Sequence, residues 1–280
     1  MIPLSEVMKH AREAHLDPSI IERDYVISWV LSGIYSNSIL SQSLVFKGGT
    51  ALRKVYFPNY RFSEDLDFTV AQSSADLTES ALQQEIKNAI EAAHRRSGIG
   101  LQLVRFSKTR EVFGGEAYEG KIEYSGPIRR RPVSLPRIKL DITFYEVVVF
   151  PAAQAPLIHN YSDNRACTET IRAYTLEEIV AEKLRTVLQR TRPRDIYDLW
   201  QLLVKDDHGL DRHRVVEGFQ AKCEYKGVTF SGVDDFFDPD RLQSHEDHWE
   251  TSLGHQLVGL PPFSEVVAGL KAEIIRTFGN

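Results

Sequence analysis

Two aspartates stand two positions apart in residues 61–70, RFSEDLDFTV, among the strand-forming residues Phe62, Leu66, Phe68 and Val70. Side chains alternate along a strand, so Asp65 and Asp67 share one face about 7 Å apart while Leu66 and Phe68 take the other. At an effective dielectric of about 20, two like charges at that spacing repel by roughly 2–3 kcal/mol. A divalent cation held between them removes the penalty. Mg²⁺ suits the pair, because it takes one or two carboxylates and completes its shell with water and substrate phosphates. The bland alternative is a solvated strand face with the same two letters.

A glycine pair lies just upstream. In residues 46–53, FKGGTALR, Gly48 and Gly49 end an apolar run and lead into a helical pattern. Free N–H groups and the helix dipole at such a start favour an anion, and residues without Cβ atoms let the backbone approach a triphosphate closely. The Thr50 hydroxyl can cap the helix or touch the same oxygens. The spaced second glycine and Lys-Ser/Thr of a Walker A loop are absent, and an ordinary tight turn has the same composition.

A third carboxylate, Asp141, sits in RIKLDITFYE, sharing a face with Lys139 and Thr143 while Leu140, Ile142 and Phe144 face the other way. A sheet that brought Asp141 beside Asp65 and Asp67 would supply two ligands for metal and one acceptor for a nucleophile's proton, the equipment of two-metal phosphoryl or nucleotidyl transfer. A surface aspartate on an edge strand is the alternative. Further on, the spacing of TLEEIVAEKLRTVLQR puts Lys183 near the apolar stripe of a helix, where an ammonium needs an anionic partner. Asp195 and Asp198 in the following PRDIYDLWQLLV are three apart, and Asp198 neighbours Leu199 and Leu202. Either Lys183 bridges to these aspartates structurally, or it reaches a nucleotide's phosphates while they orient it.

The elements that must position these groups read as follows. Residues 1–43 are helical by the recurrence of Ile20, Ile21, Val26, Ile27, Val30, Leu31 and Ile34. Residues 43–57 give strand, glycine turn and helix; 61–70 a second strand; 76–95 a helix; and 137–150 the longest β-rich run, for an order β, α, β, α, β. Past FPAAQAPL only helical patterns follow, at 175–190, 193–204 and 263–278. This predicts a helical segment over 1–43, a mixed α+β core over 44–155 and a helical domain over 156–280.

Composition fits an ordinary globular protein: 280 residues, 42% hydrophobic, net charge −5. Cys167 and Cys223 lack a C-x-x-C partner, so neither a disulfide framework nor a zinc site is indicated. The N-terminus has charges where a signal peptide needs an apolar stretch, and no segment reaches the ~20 apolar residues of a membrane span, so a cytoplasmic location is expected. The acidic balance excludes a uniformly basic nucleic-acid coat. Local charge remains in IRRRPVSLPRIK, with five basic residues and no acid.

KGGTALRKVY, RFSEDLDF, LEEIVAEKLRTVLQR and RDIYDL, in that order, resemble the four motifs of the AbiEii/AbiGii-type nucleotidyltransferase toxins, the toxin half of type IV toxin–antitoxin and phage-defence systems. The resemblance spans roughly residues 46–200. It implies a polymerase-β-like nucleotidyltransferase core with a C-terminal helical domain, an NTP substrate, Mg²⁺, and a modified tRNA or other target that stops translation or growth. It further implies that Gly48, Gly49, Thr50 and Arg53 bind the nucleotide, that Ser63 lies at the triphosphate, and that Asp65 and Asp67 hold the metal. Lys183, Asp195 and Asp198 would complete the nucleotide pocket, and a cognate antitoxin is expected as partner. Asp141 fits the third carboxylate of the wider superfamily, although the toxin motifs do not regularly include it. Arg129, Arg130, Arg131 and Arg137 are candidates for an RNA backbone contact; a solvated basic loop is the alternative. Two rival activities fit the same residues: transfer of a γ-phosphate to a protein hydroxyl, and nucleotide or partner binding without turnover.

Overall fold

The computed structural model describes residues 1–71, 77–110, 116–129, 135–205 and 209–279. The chain divides into two compact units, one of Met1–Glu146 with Ala152–Ala173, the other of Val147–Pro151 with Tyr174–Asn280. The changeover expected near residue 155 is therefore not one point, because the chain enters the second unit, returns, and enters it again.

In the first unit the described residues form seven strands: β1 (Leu44–Lys47), β2 (Asp65–Val70), β3 (Gly100–Arg110), β4 (Glu116–Ser125), β5 (Arg137–Thr143), β6 (Ala153–Pro156) and β7 (Thr170–Ala173). They make one mixed sheet in the order β3-β4-β5-β2-β1-β7-β6. The central β2 runs antiparallel to β1 and parallel to β5. Helices α1 (Leu4–Ala14), α2 (Pro18–Ser36), α3 (Ser38–Ser43) and α5 (Glu79–Ser97) belong to this unit, as does the short α4 (Gly48–Ala51), which continues as a π turn over Leu52–Tyr56. Pro18 opens α2, and the Asp17 carboxylate accepts from Ser19 N at 2.8 Å.

Alternation decides which face of the sheet is buried. Leu66, Phe68, Ile122, Ile138 and Leu140 are fully buried, and the Phe68 ring lies 5.1 Å from Phe46 and 6.4 Å from Tyr35 of α2. Asp65, Asp67, Glu119, Lys121, Lys139 and Asp141 stay half-exposed on the other face. Helix α2 is buried nearly all round, acids Glu22 and Asp24 included, and packs against α5 at Gly33. A Cβ there would stand 2.4 Å from Ala89 O and 2.9 Å from Ala93 Cβ, so only glycine permits this approach.

The longest strands are β3 and β4, which the sequence reading did not isolate. The run over 137–150 leaves the sheet at Thr143, and its tail joins the second unit. The reason is electrostatic. In the second unit, α6 (Leu176–Val187) carries Glu178 and α8 (Arg212–Lys226) carries Lys222, both fully buried, with Lys222 Nζ 3.0 Å from Glu178 Oε1. The Glu178 carboxylate also accepts from Val149 N at 2.8 Å and Phe150 N at 3.2 Å, and Lys222 donates to Val147 O at 2.7 Å. Two buried charges thus bind the stretch Val147–Pro151 to the helices. Further packing comes from α7 (Pro193–Trp200), α9 (Pro239–Asp247), α10 (Trp249–Leu253) and α11 (Phe263–Phe278), with Phe219, Phe230, Phe236 and Phe278 in one ring cluster.

Lys222→Met strips Glu178 of its counter-charge in a dry interior, so it should lower stability by about 3–5 kcal/mol. Urea unfolding followed by the helical signal measures the loss.

Candidate active site

The site residues of the first unit come from β1, the glycine turn, β2 and β5. Gly48 directly follows β1 and has φ +78°, a conformation L side chains avoid. A Cβ on Gly48 would meet Asp67 Oδ2 at 2.6 Å. The carboxylate of the second motif therefore rests on the backbone of the first. Thr50, 1% exposed, has its Oγ1 2.5 Å from the Asp65 carbonyl and 2.8 Å from Ser63 Oγ. Its single proton goes to the carbonyl, which can only accept, and the two hydroxyls share the longer contact. Thr50 and Ser63 together bolt the glycine helix to the start of β2.

Arg53 points elsewhere. Its Nε donates to Asp24 Oδ1 at 2.6 Å, its Nη1 donates to the Tyr60 carbonyl, and its guanidinium lies 3.6 Å over the Phe62 ring. Burial disfavours the Asp24 carboxylate, but Arg53 and then Lys54 outweigh it and hold the carboxyl well below its usual range.

Asp65 and Asp67 occupy the half-exposed face, as the alternation predicts. Parallel pairing sets Asp141 directly opposite Asp67 and Lys139 opposite Asp65, so the three carboxylates do meet on one face. Asp141 arrives with a partner: Lys139 Nζ is 2.7 Å from Asp141 Oδ2 and 3.5 Å from Glu119 Oε2. Partial burial counts against the Lys139 charge, yet Asp141, Glu119 and Asp65 raise its pKa, so it stays an ammonium. Among the described residues no group of three or more His, Cys, Asp or Glu is arranged to hold a metal ion. The doublet alone fits Mg²⁺, which needs only one or two protein carboxylates when phosphates supply further oxygens. Lys47 was missed by sequence reasoning. It pairs with Asp67 across the β1–β2 ladder, which places it on the same face, and it is 9% exposed. A lysine closing an apolar strand just before two glycines was the available signal.

In the second unit Lys183 Nζ lies 3.1 Å from Asp195 Oδ1 and 2.6 Å from Asp198 Oδ2, and all three residues are buried. Arg190 adds a bond to Asp195 Oδ2 at 3.0 Å. Burial disfavours the Asp195 carboxylate, but Lys183 and Arg190 outweigh it and hold its pKa far down. His245 of α9 is 1% exposed, and neither ring nitrogen has a hydrogen-bond partner among the described residues; burial lowers its pKa and keeps the ring neutral.

Of the basic loop, Arg129 is exposed with φ +50°, and Arg137 gives both Nε and Nη2 to Glu123 at 2.9 and 2.6 Å. Arg130 and Arg131 lie outside the described residues. Among the described residues no helix is long and apolar enough to cross a membrane.

Comparison with solved structures finds MenT4, a nucleotidyltransferase toxin of Mycobacterium tuberculosis H37Rv, at 20% identity and a TM-score of 0.65, covering 99% of this chain and 89% of that one. JHP933 from Helicobacter pylori follows at 16% identity and a TM-score of 0.54, covering 94% of each chain. Both likenesses concern the fold. No curated protein matches the sequence. The profile of the nucleotidyl transferase AbiEii toxins of type IV toxin–antitoxin systems matches residues 29–269. With the doublet seated on the glycine turn and that profile spanning most of its length, the chain belongs to the AbiEii nucleotidyltransferase toxin family.

Proposed function

We propose that this nucleotidyltransferase moves a nucleotide from an NTP to an RNA acceptor, with tRNA as the first candidate, in a reaction that requires Mg²⁺. It would act in the cytoplasm to halt translation or growth, with a cognate antitoxin restraining it. The observation that carries the reading is the seating of Asp67 on Gly48. A carboxylate doublet beside helix-start amides matches a metal-bound triphosphate.

Each residue then has a task. Backbone amides at Gly48 and Gly49 hold the β and γ phosphates. Lys47, on the face of Asp67, offsets their charge. Asp65 and Asp67 hold Mg²⁺, which supplies charge neutralisation at the α-phosphate when bound. The acceptor hydroxyl attacks the α-phosphorus in line, the bond to the bridging oxygen breaks, and pyrophosphate leaves. Asp141, opposite Asp67, takes the hydroxyl proton. Arg129, Arg130, Arg131 and Arg137 are the proposed backbone contact for RNA, whose affinity should then fall steeply with salt.

Incubating total RNA with each NTP, labelled separately at the α and γ phosphates, tests the activity. The α label should stay on RNA; γ label retained on protein would instead identify a kinase. Asp65→Asn or Asp67→Asn should lower transfer by about 10³-fold or more while leaving the melting temperature near that of the parent. Gly48→Ala should cost about 1–3 kcal/mol through its φ and, by displacing the Asp67 carboxylate, most of the activity as well; calorimetry and the same assay read the two effects separately.

A further inference from the structure

A buried aspartate of helix α2 bears on the segment that enters the active-site strand. Asp24 is 3% exposed and is met by Arg53 Nε at 2.6 Å, Lys54 Nζ at 2.8 Å and Tyr161 OH at 2.8 Å. Two of these partners are consecutive residues of the π turn that follows the glycine helix, a turn whose wider winding brings neighbouring side chains closer in direction than an α-helix does. The one hydroxyl proton of Tyr161 goes to Asp24, with the Ile21 carbonyl of α2 3.2 Å from the same oxygen, and Ile158 N donates to the Lys54 carbonyl at 2.8 Å.

What the anchor holds is the segment that enters β2. Arg53 takes the Tyr60 carbonyl and the Phe62 ring, Thr50 faces Ser63, and Arg23 of α2 bonds Glu64 Oε2 at 3.0 Å. Three of these four ties, at positions 60, 62 and 64, lead to Arg23 or Asp24 of α2, and all four lie in the five residues before Asp65. An arginine with one nitrogen on a carboxylate, another on a carbonyl and its face on a ring is fixed as a strut.

We propose that Asp24 is a positioning residue of the transferase site: through Arg53 it sets the chain over residues 60–64 and thereby the placement of the Asp65 and Asp67 carboxylates, so that Arg53 acts as an internal strut and not as a phosphate ligand. The proposal rests on the reading above that this doublet holds the cation.

The test uses the full chain with α-labelled NTP and RNA, together with calorimetric titration of Mn²⁺ in the absence of NTP. Asp24→Asn and Arg53→Gln should each lower kcat by about 10- to 100-fold, with KM for NTP within about threefold of the parent. Both should weaken Mn²⁺ binding several-fold, and the double variant should be no worse than the more damaged single one. Asp24→Glu, which keeps the charge, should recover part of kcat. A tenfold rise in KM with kcat retained in Arg53→Gln would put the guanidinium on the phosphates and overturn the proposal, as would parental kcat and Mn²⁺ affinity in Asp24→Asn. Should Asp24→Asn fail to fold, Phe62→Leu decides, because it removes only the ring beneath the guanidinium: a lower kcat with weaker Mn²⁺ binding supports the strut, parental values sink it. If the parent binds no Mn²⁺, or binds it no better than Asp65→Asn, the metal reading of the doublet has failed; parental binding that Asp24→Asn leaves intact defeats the positioning proposal alone.

Discussion

The contact between the Asp67 carboxylate and the backbone of Gly48 organises the first unit. It joins two segments nineteen positions apart in sequence into one surface, and it does so with no room for any side chain at Gly48. The antiparallel register of β1 and β2 delivers the approach, since pairing Lys47 with Asp67 leaves the residue just after β1 beneath the carboxylate. A positive φ at that residue then turns the chain into a helix whose first amides have no acceptor within it. Register, turn and charge all require the same glycine.

Buried charge recurs among the described residues. Asp24 faces Arg53 and Lys54, Glu178 faces Lys222, and Lys183 faces Asp195 and Asp198. Well-packed hydrophobic groups would serve net stability as well or better, because desolvation consumes most of what such pairs gain. Their common property is direction: Arg53 beside Asp24 fixes a carbonyl and a ring, Glu178 and Lys222 fix amides and a carbonyl, and Lys183 joins α6 to α7. Glu178 shows this most clearly, capping no helix of its own but binding the amides of Val149 and Phe150.

Much of this was legible in the letters. Period-two alternation placed Asp65, Asp67 and Asp141 on one face, and the apolar stripe of α6 announced that Lys183 wanted an anion, which the structure supplies twice over. The hairpin of β3 and β4 went unread because its open face alternates charged residues such as Glu119, Lys121 and Glu123, which dilute the signal from Tyr118, Ile122 and Tyr124 beneath. Asp24 was equally opaque. An acid in a largely apolar helix names no partner, and of its partners Arg53 and Lys54 stand about thirty positions downstream and Tyr161 far beyond them. Arg53 sits within the glycine motif expected to bind phosphates, yet its hydrogen bonds run inward to Asp24 and Tyr60. The two units differ from a single boundary near residue 155 because periodicity cannot register that a chain leaves a unit and comes back.

That return has a bearing on how the polypeptide can be divided. Removing everything after residue 155 would take β7 from the edge of β1 and leave Val147–Pro151 without the helices it belongs to. Expressing the remainder alone would deprive Glu178 and Lys222 of the amides and carbonyl they grip. No single scission yields two intact halves.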